Sequence, residues 1–90
     1  MPEEWTALRG QVVVVDTDSR FVYVGTLKGV DDQFLVLADA DAHDTTETTS
    51  TKEQYVMEIR RFGVRANRKE ISVRKSLVVS VSKLEDVLLY

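Results

Sequence analysis

Residues 21–39 constrain the fold of this chain more than any other stretch, because two apolar runs flank a polar connection. The runs, Phe21 to Leu27 and Phe34 to Ala38, are rich in β-branched and aromatic residues, which favour strands. The six residues between them include a glycine and two aspartates, which favour turns. The sequence therefore predicts two strands joined by a turn at the centre of the fold.

A further strand and a short helix are predicted before this pair. Residues 11–15 contain four consecutive valines, which are apolar on both faces of a strand. We therefore expect a strand that is buried on both sides, followed by a turn over residues 16–19. Upstream, Glu3 to Leu8 predicts a short helix whose Trp5 and Leu8 share one face and cover part of the core.

Gly25 interrupts the second predicted strand. A glycine inside a strand marks a bulge, a sharp bend or a close approach of another backbone. A small barrel needs such bends to curl a long strand around its core. We therefore expect a mainly β fold whose sheet is strongly bent.

Residues 39–50 contain no large apolar residue and are rich in acids and threonine, so we expect a loop. His43 lies among three aspartates, which raises the question of a weak cation site. The spacing matches no established metal loop, and such side chains are usually solvated, so we expect neither a metal nor a cofactor here.

The next segment has the signals of a helix near residues 51–62. Residues 50–53 have the form of a capping box, and Gly63 is placed to end a helix. Between them, apolar side chains recur with helical spacing at Tyr55, Val56, Ile59 and Phe62. The alternative is a strand with Tyr55, Met57 and Ile59 on one face.

The last third of the chain predicts two more strands. Residues 64–69 are basic and irregular, Ile71 to Arg74 alternates as a strand does, and Leu77 to Ser82 is the last apolar run. The tail after Ser82 suits either a helical turn or an added strand, and its leucine and valine spacing favours the helical turn.

Composition excludes several classes of function. The 90 residues suit one domain, and the absence of cysteine excludes a disulfide framework, a thiol nucleophile and a cysteine-ligated zinc site. One histidine and no phosphate-binding glycine loop give no support for an enzyme. No apolar run approaches the roughly 20 residues of a membrane span, and the N-terminus lacks a secretory pattern, so we expect a cytoplasmic protein that binds no membrane.

Charge is distributed unevenly along the chain. The net charge is −3, yet residues 60–75 contain seven basic residues and one acid. This basic segment is where an anionic partner would bind, although exposed lysine and arginine often only solvate a surface. From charge alone, a solvated surface is the preferred interpretation.

Two parts of the sequence resemble the Sm motifs of the Sm-like (LSm) family. The first motif is similar to residues 8–39, with a strand glycine at Gly25 and an acidic turn. The second is similar to residues 71–82, where Arg74 matches the arginine of the family and Lys75 replaces its glycine. The resemblance implies a single domain over residues 1–90, folded as a small five-stranded antiparallel open barrel, with an insertion at about residues 40–69.

Membership of this family would also imply a ring that binds single-stranded RNA. In the family, the last strand of one subunit pairs with the fourth strand of the next, and RNA lies against two turns. The positions that correspond to the RNA contacts are Asp31, Gln33, Phe34, Leu35, Arg74 and Lys75.

Two hypotheses of function follow from the resemblance. In the first, a homo-oligomeric ring binds single-stranded RNA without catalysis, as the basic segment favours. In the second, the chain is a structural Sm-like scaffold for proteins that has lost the RNA pocket. The second is supported by Leu35 where the family has an asparagine, by Lys75 where it has a glycine and by the acidic net charge. Of the two hypotheses, RNA binding is preferred.

Overall fold

The computed structural model describes residues 3–89, which form one antiparallel sheet and two α-helices. The strands are β1 (Val12–Thr17), β2 (Phe21–Val30), β3 (Phe34–Asp44), β4 (Arg68–Arg74) and β5 (Val78–Lys83), and the helices are α1 (Glu3–Thr6) and α2 (Lys52–Phe62). The strand order is β4-β3-β2-β1-β5. The predicted mainly β fold, an open five-stranded barrel with a short N-terminal helix and an inserted helix, is confirmed.

Strand β1 is buried on both faces, as the run of valines predicts. Val13 and Val15 are completely buried on the inner side of the curved sheet, where they belong to the main core. Val14 points to the other side and packs beneath α2. The main core consists of Val13, Val15, Leu27, Leu35, Leu37, Ala40 and Val73, and the second cluster of Val14, Val22, Val24, Tyr55 and Ile59.

Gly25 lies where the sheet bends and two backbones come close together. The register of β2 against β3 shifts between Val24 and Thr26. A Cβ atom on Gly25 would lie only 2.8 Å from the Cβ of Ala40, which is closer than real Cβ contacts. Of the alternatives expected at Gly25, the irregular strand pairing and the close approach of another backbone are therefore confirmed.

The sequence prediction was wrong at residues 39–44, which continue β3 instead of beginning a loop. This extension pairs with the first half of β2, from Phe21 opposite Asp44 to Val24 opposite Asp41. Its residues have low intrinsic strand preference, but pairing with a partner strand outweighs that preference. Similarly, β4 begins at Arg68, so Arg68 and Lys69 belong to a strand rather than to an irregular segment.

The inserted helix is confirmed, and the alternative strand over the same residues is wrong. Its N-cap is Thr51 rather than Ser50, and Thr51 forms the capping box with Gln54. Tyr55 and Ile59 are buried against the outer face of the sheet, so the helix covers its own barrel. The predicted stripe fails at its end, because Phe62 is 76% exposed.

The remaining turns are short 3-10 helices. They span Thr45–Glu47, Lys75–Leu77 and Leu84–Asp86. The last of these agrees with the helical turn favoured for the tail, and Leu84 and Val87 pack against the cluster beneath α2. No helix within residues 3–89 is long and apolar enough to span a membrane.

We expect Gly25→Ala to destabilise the fold because the added methyl group has no space beside Ala40. Overpacking of this kind costs about 1–3 kcal/mol. Gly29→Ala is the matched control, since a Cβ there meets no atom within 4 Å. Urea unfolding of the two variants and the wild type measures the difference. Equal stability of both variants would contradict the close approach of the two backbones at Gly25.

Candidate nucleic-acid interface

The turn between β2 and β3 is held by the carboxylate of Asp31. One oxygen, Oδ1, accepts hydrogen bonds from the backbone N–H groups of Gln33 and Phe34, each at 2.8 Å. The backbone N–H of Asp31 donates to the carbonyl of Phe34 at 3.0 Å. Aspartate forms this local turn because its short side chain reaches the backbone two and three residues ahead.

A second turn, between β4 and β5, lies directly beside the first. The backbone N–H of Lys75 donates to the carbonyl of Gln33 at 2.8 Å, and Phe34 pairs with Arg74 across β3 and β4. Asp32, Gln33, Arg74, Lys75 and Ser76 line an open cavity of about 300 Å³. We call Asp31, Gln33, Phe34, Arg74 and Lys75 the turn site. The fold thus brings together residues that are about 40 positions apart in the sequence.

Leu35 does not belong to the turn site. Its side chain is completely buried in the main core, one residue after Phe34, and points to the opposite face of β3. A leucine in that position cannot present a polar edge to a base, and here it does not reach the surface. The RNA contact that the sequence assigned to Leu35 is therefore not available to its side chain.

The charges of the turn site favour an anionic ligand on the side of Arg74 and Lys75. The hydrogen bonds from the backbone of Gln33 and Phe34, and to a smaller extent the charge of Lys75, lower the pKa of Asp31. Its carboxylate is thus already engaged by the turn. Arg74 and Lys75 form no ion pair within 4.0 Å with any residue in the described range 3–89. Their charges are available to a phosphate group.

The inserted helix is fixed to the sheet by polar contacts that the sequence did not indicate. Tyr55 donates a hydrogen bond to Asp41, whose other carboxylate oxygen accepts from the Asn67 amide at 2.9 Å. Burial, and then the hydrogen bond to Asp41, raise the pKa of Tyr55, so its hydroxyl remains a neutral donor. At the start of the helix, the Lys52 ammonium donates to Asp16 at 2.8 Å.

His43 is part of this anchoring. Its ring stacks on the ring of Tyr55 with a centroid distance of 3.8 Å. Within residues 3–89, no group of three or more metal-binding side chains is found. Two of the aspartates beside His43 in the sequence contact other side chains. Asp41 accepts a hydrogen bond from Tyr55, and Asp44 pairs with Arg20 at 3.2 Å.

We expect an NMR pH titration to show a pKa of Asp31 below its ordinary value of 3.8, because two backbone N–H groups stabilise the carboxylate. A lowered pKa contributes stability above the ordinary value, and that contribution is lost as the pH falls through the folded-state pKa. Asp31→Asn should therefore lose less stability than the wild type on acidification. A normal or raised pKa would show that the turn does not hold the carboxylate.

No protein-family model matches the chain, and no curated protein matches it. Solved structures do match. An Sm-like protein from Archaeoglobus fulgidus aligns at 21% identity over 92% of this chain and 93% of its own, with a TM-score of 0.62. The Sm protein of Pyrococcus abyssii, solved in complex with a uridine heptamer, aligns at 22% identity over 92% of this chain and 97% of its own, also with a TM-score of 0.62.

Both alignments extend over nearly the whole length of the two chains compared. They therefore cover most of the five-stranded sheet with its bent second strand. At such low identity the likeness concerns the fold and not the function. The resemblance seen in the sequence is thus confirmed at the level of structure: the chain has the fold of the Sm-like proteins.

Proposed function

We propose that the chain binds single-stranded RNA at the turn site and works without catalysis, as a subunit of a ring. The observation that carries this proposal is the junction of the two turns. There, Gln33 and Phe34 lie beside Arg74 and Lys75, which form no ion pair within 4.0 Å in the described residues, while the charge of Lys75 also acts on Asp31. An aromatic ring beside free cations suits the bases and phosphates of a single strand.

The comparison with solved structures supports the same interpretation. The Pyrococcus abyssii protein has a similar fold and is described in complex with a uridine heptamer. This chain differs from the family pattern at Leu35, which is buried and lies outside the turn site, so we expect stacking and phosphate contacts to contribute more than recognition of a base edge. Binding should therefore depend strongly on salt.

The edges of the sheet support assembly into a ring. Strands β4 and β5 occupy the two ends of the strand order, so each has one side without a strand partner within residues 3–89. On β5, Val79 is 65% exposed, and the strand contains no proline and a single charged residue, Lys83, at its last position. Unprotected edges of this kind favour pairing with another chain. Pairing of β5 with β4 of an identical subunit would close a cyclic oligomer.

The second hypothesis, a scaffold that binds protein and not RNA, is favoured by one observation. Leu35 is buried, and Asp31 and Asp32 place acidic groups at the turn. Repulsion between these carboxylates and phosphate would weaken RNA binding. The cytoplasmic location expected from the sequence stays a prediction under both hypotheses.

We expect the affinity for oligouridine to fall as salt rises, because binding to phosphate groups releases counterions. Replacing Arg74 or Lys75 by alanine should weaken binding and reduce the slope of log affinity against log salt by about 0.7 for each phosphate that is no longer neutralised. Arg9→Ala removes an equal charge from an exposed side chain outside both the turn site and β5 and is the control. Fluorescence anisotropy measures both quantities. Wild-type protein that binds no oligouridine at low salt would favour the scaffold.

Light scattering should give a mass several times the 10.2 kDa of one chain, because the two sheet edges pair between subunits. A charge inserted into the β5 edge, as in Val79→Lys, should lower that mass, since edge charges oppose strand pairing. Leu88→Lys places the same charge on an exposed side chain outside the strand and is the control. A monomeric wild type would contradict the ring.

A further inference from the structure

A second candidate binding site lies beneath the end of α2, away from the turn site. Here the helix, β3 and the segment before the helix enclose a cavity of about 350 Å³, in the size range of small-ligand sites. We call it the helix pocket. The side chains that line it and bear on its chemistry are Ser50, Tyr55, Glu58, Phe62 and Arg65.

Phe62 is the first unusual feature of the helix pocket. It is the last residue of α2, and at 76% exposure it leaves most of the ring in contact with water. Of the other apolar residues of the predicted stripe, Tyr55 and Ile59 are buried against the sheet and Val56 is partly buried beside them. The ring of Phe62 therefore contributes little to the core and is free to stack on a planar ligand.

Three arginines lie within three residues of Phe62 in the sequence. Arg60, Arg61 and Arg65 are all exposed, and none has a carboxylate within 4.0 Å in the described part of the chain. The ten residues 60–69 contain five basic residues and no acid. Arginines at the end of a helix also interact favourably with the helix dipole. The helix dipole explains the positions of Arg60 and Arg61 in the last turn. It does not explain Arg65, which follows the helix and lines the pocket.

Glu58 supplies a hydrogen-bond acceptor on the same side of α2 as Phe62, four residues away. The other carboxylate in the pocket, Asp41, already accepts from Tyr55 and Asn67. A free carboxylate accepts hydrogen bonds but donates none, so it favours a base that presents an amino group. Uracil has no such group, whereas adenine, cytosine and guanine do.

We propose that the helix pocket binds an amino-bearing base of single-stranded RNA, with the base stacked on Phe62, its amino group bonded to Glu58 and a neighbouring phosphate bound by Arg65. This inference rests on the proposed RNA binding. It adds a second contact, which prefers bases that bear an amino group. A protein partner is disfavoured, because a stable interface needs roughly 800 Å² per partner around an apolar centre, and Phe62 is the sole exposed large apolar residue that α2 offers.

The two sites can be occupied by one strand. The helix pocket lies near the end of β4 where Asn67 and Arg68 meet β3, and the turn site lies at the other end, where Arg74 meets Phe34. At a rise of about 3.3 Å per residue, these ends of β4 are separated by about 20 Å. A long oligonucleotide then gains affinity from both sites, whereas a short one occupies a single site.

The test compares oligoadenosine and oligouridine of roughly 16 nucleotides, the upper end of the site sizes of small barrels. Phe62→Ala should weaken oligoadenosine binding by roughly tenfold, and Arg65→Ala by a similar factor, while oligouridine binding changes little. Glu58→Gln should reduce the preference for adenosine without abolishing binding. Leu88→Ala is the apolar control, since Leu88 is 67% exposed and lies outside the helix pocket. Arg9→Ala is the charge control, since Arg9 is exposed and also lies outside the helix pocket.

The outcomes separate this inference from the proposed function. If Arg74→Ala weakens RNA binding while Phe62→Ala and Arg65→Ala do not, the helix pocket is overturned and the turn site stands. If the helix-pocket variants weaken oligoadenosine binding while Arg74→Ala has no effect, the turn site is overturned instead. An equal loss for adenosine and uridine in Phe62→Ala would overturn the assigned base preference. Phe62 and Arg65 are exposed, so we expect circular dichroism to show all these variants folded.

Discussion

The burial of β1 on both faces is the constraint on which the rest of the structure depends. Alternate side chains of a strand point to opposite faces, so consecutive valines require an apolar partner on each side. The curl of the sheet covers Val13 and Val15, and α2 covers Val14. The inserted helix is therefore part of the folded unit. Without it, the outer face of β1 and β2 would be exposed to water.

Local sequence patterns predicted those elements whose signals lie within the element itself. The central strands, the bend at Gly25 and the helix after the capping box were all predicted, because periodicity and turn residues depend on near neighbours. The extension of β3 was missed because Asp39–Asp44 gains its strand conformation from β2, whose pairing residues lie about 20 positions earlier. Asp39 also adopts a positive φ of 49°, which its sequence neighbours do not indicate.

The candidate site likewise combines features that the local sequence predicts with features that depend on distant residues. The turn at Asp31 could be predicted, since aspartate binds its own backbone nearby, and Arg74 follows from the family pattern. The burial of Leu35 could not be decided by alignment with the family, because it depends on which face of β3 turns inward. The helix pocket was missed because it combines residues from β3, the preceding segment and α2, and because the helical stripe placed Phe62 in the core.

Asn67 has a consequence for how a sheet with open edges avoids indiscriminate association. Its backbone N–H donates to the carbonyl of Ala40, and its side-chain amide both accepts from the Ala42 N–H at 2.9 Å and donates to the Ala42 carbonyl at 3.2 Å. The carboxamide of Asn67 thus makes the two hydrogen bonds that a residue of a paired strand would make. It does so immediately before β4 begins. The backbone groups of the β3 extension that would otherwise be a template for a foreign strand are already satisfied there. A single side chain thus occupies both backbone groups of Ala42, so a foreign strand cannot pair with β3 at that residue without displacing Asn67.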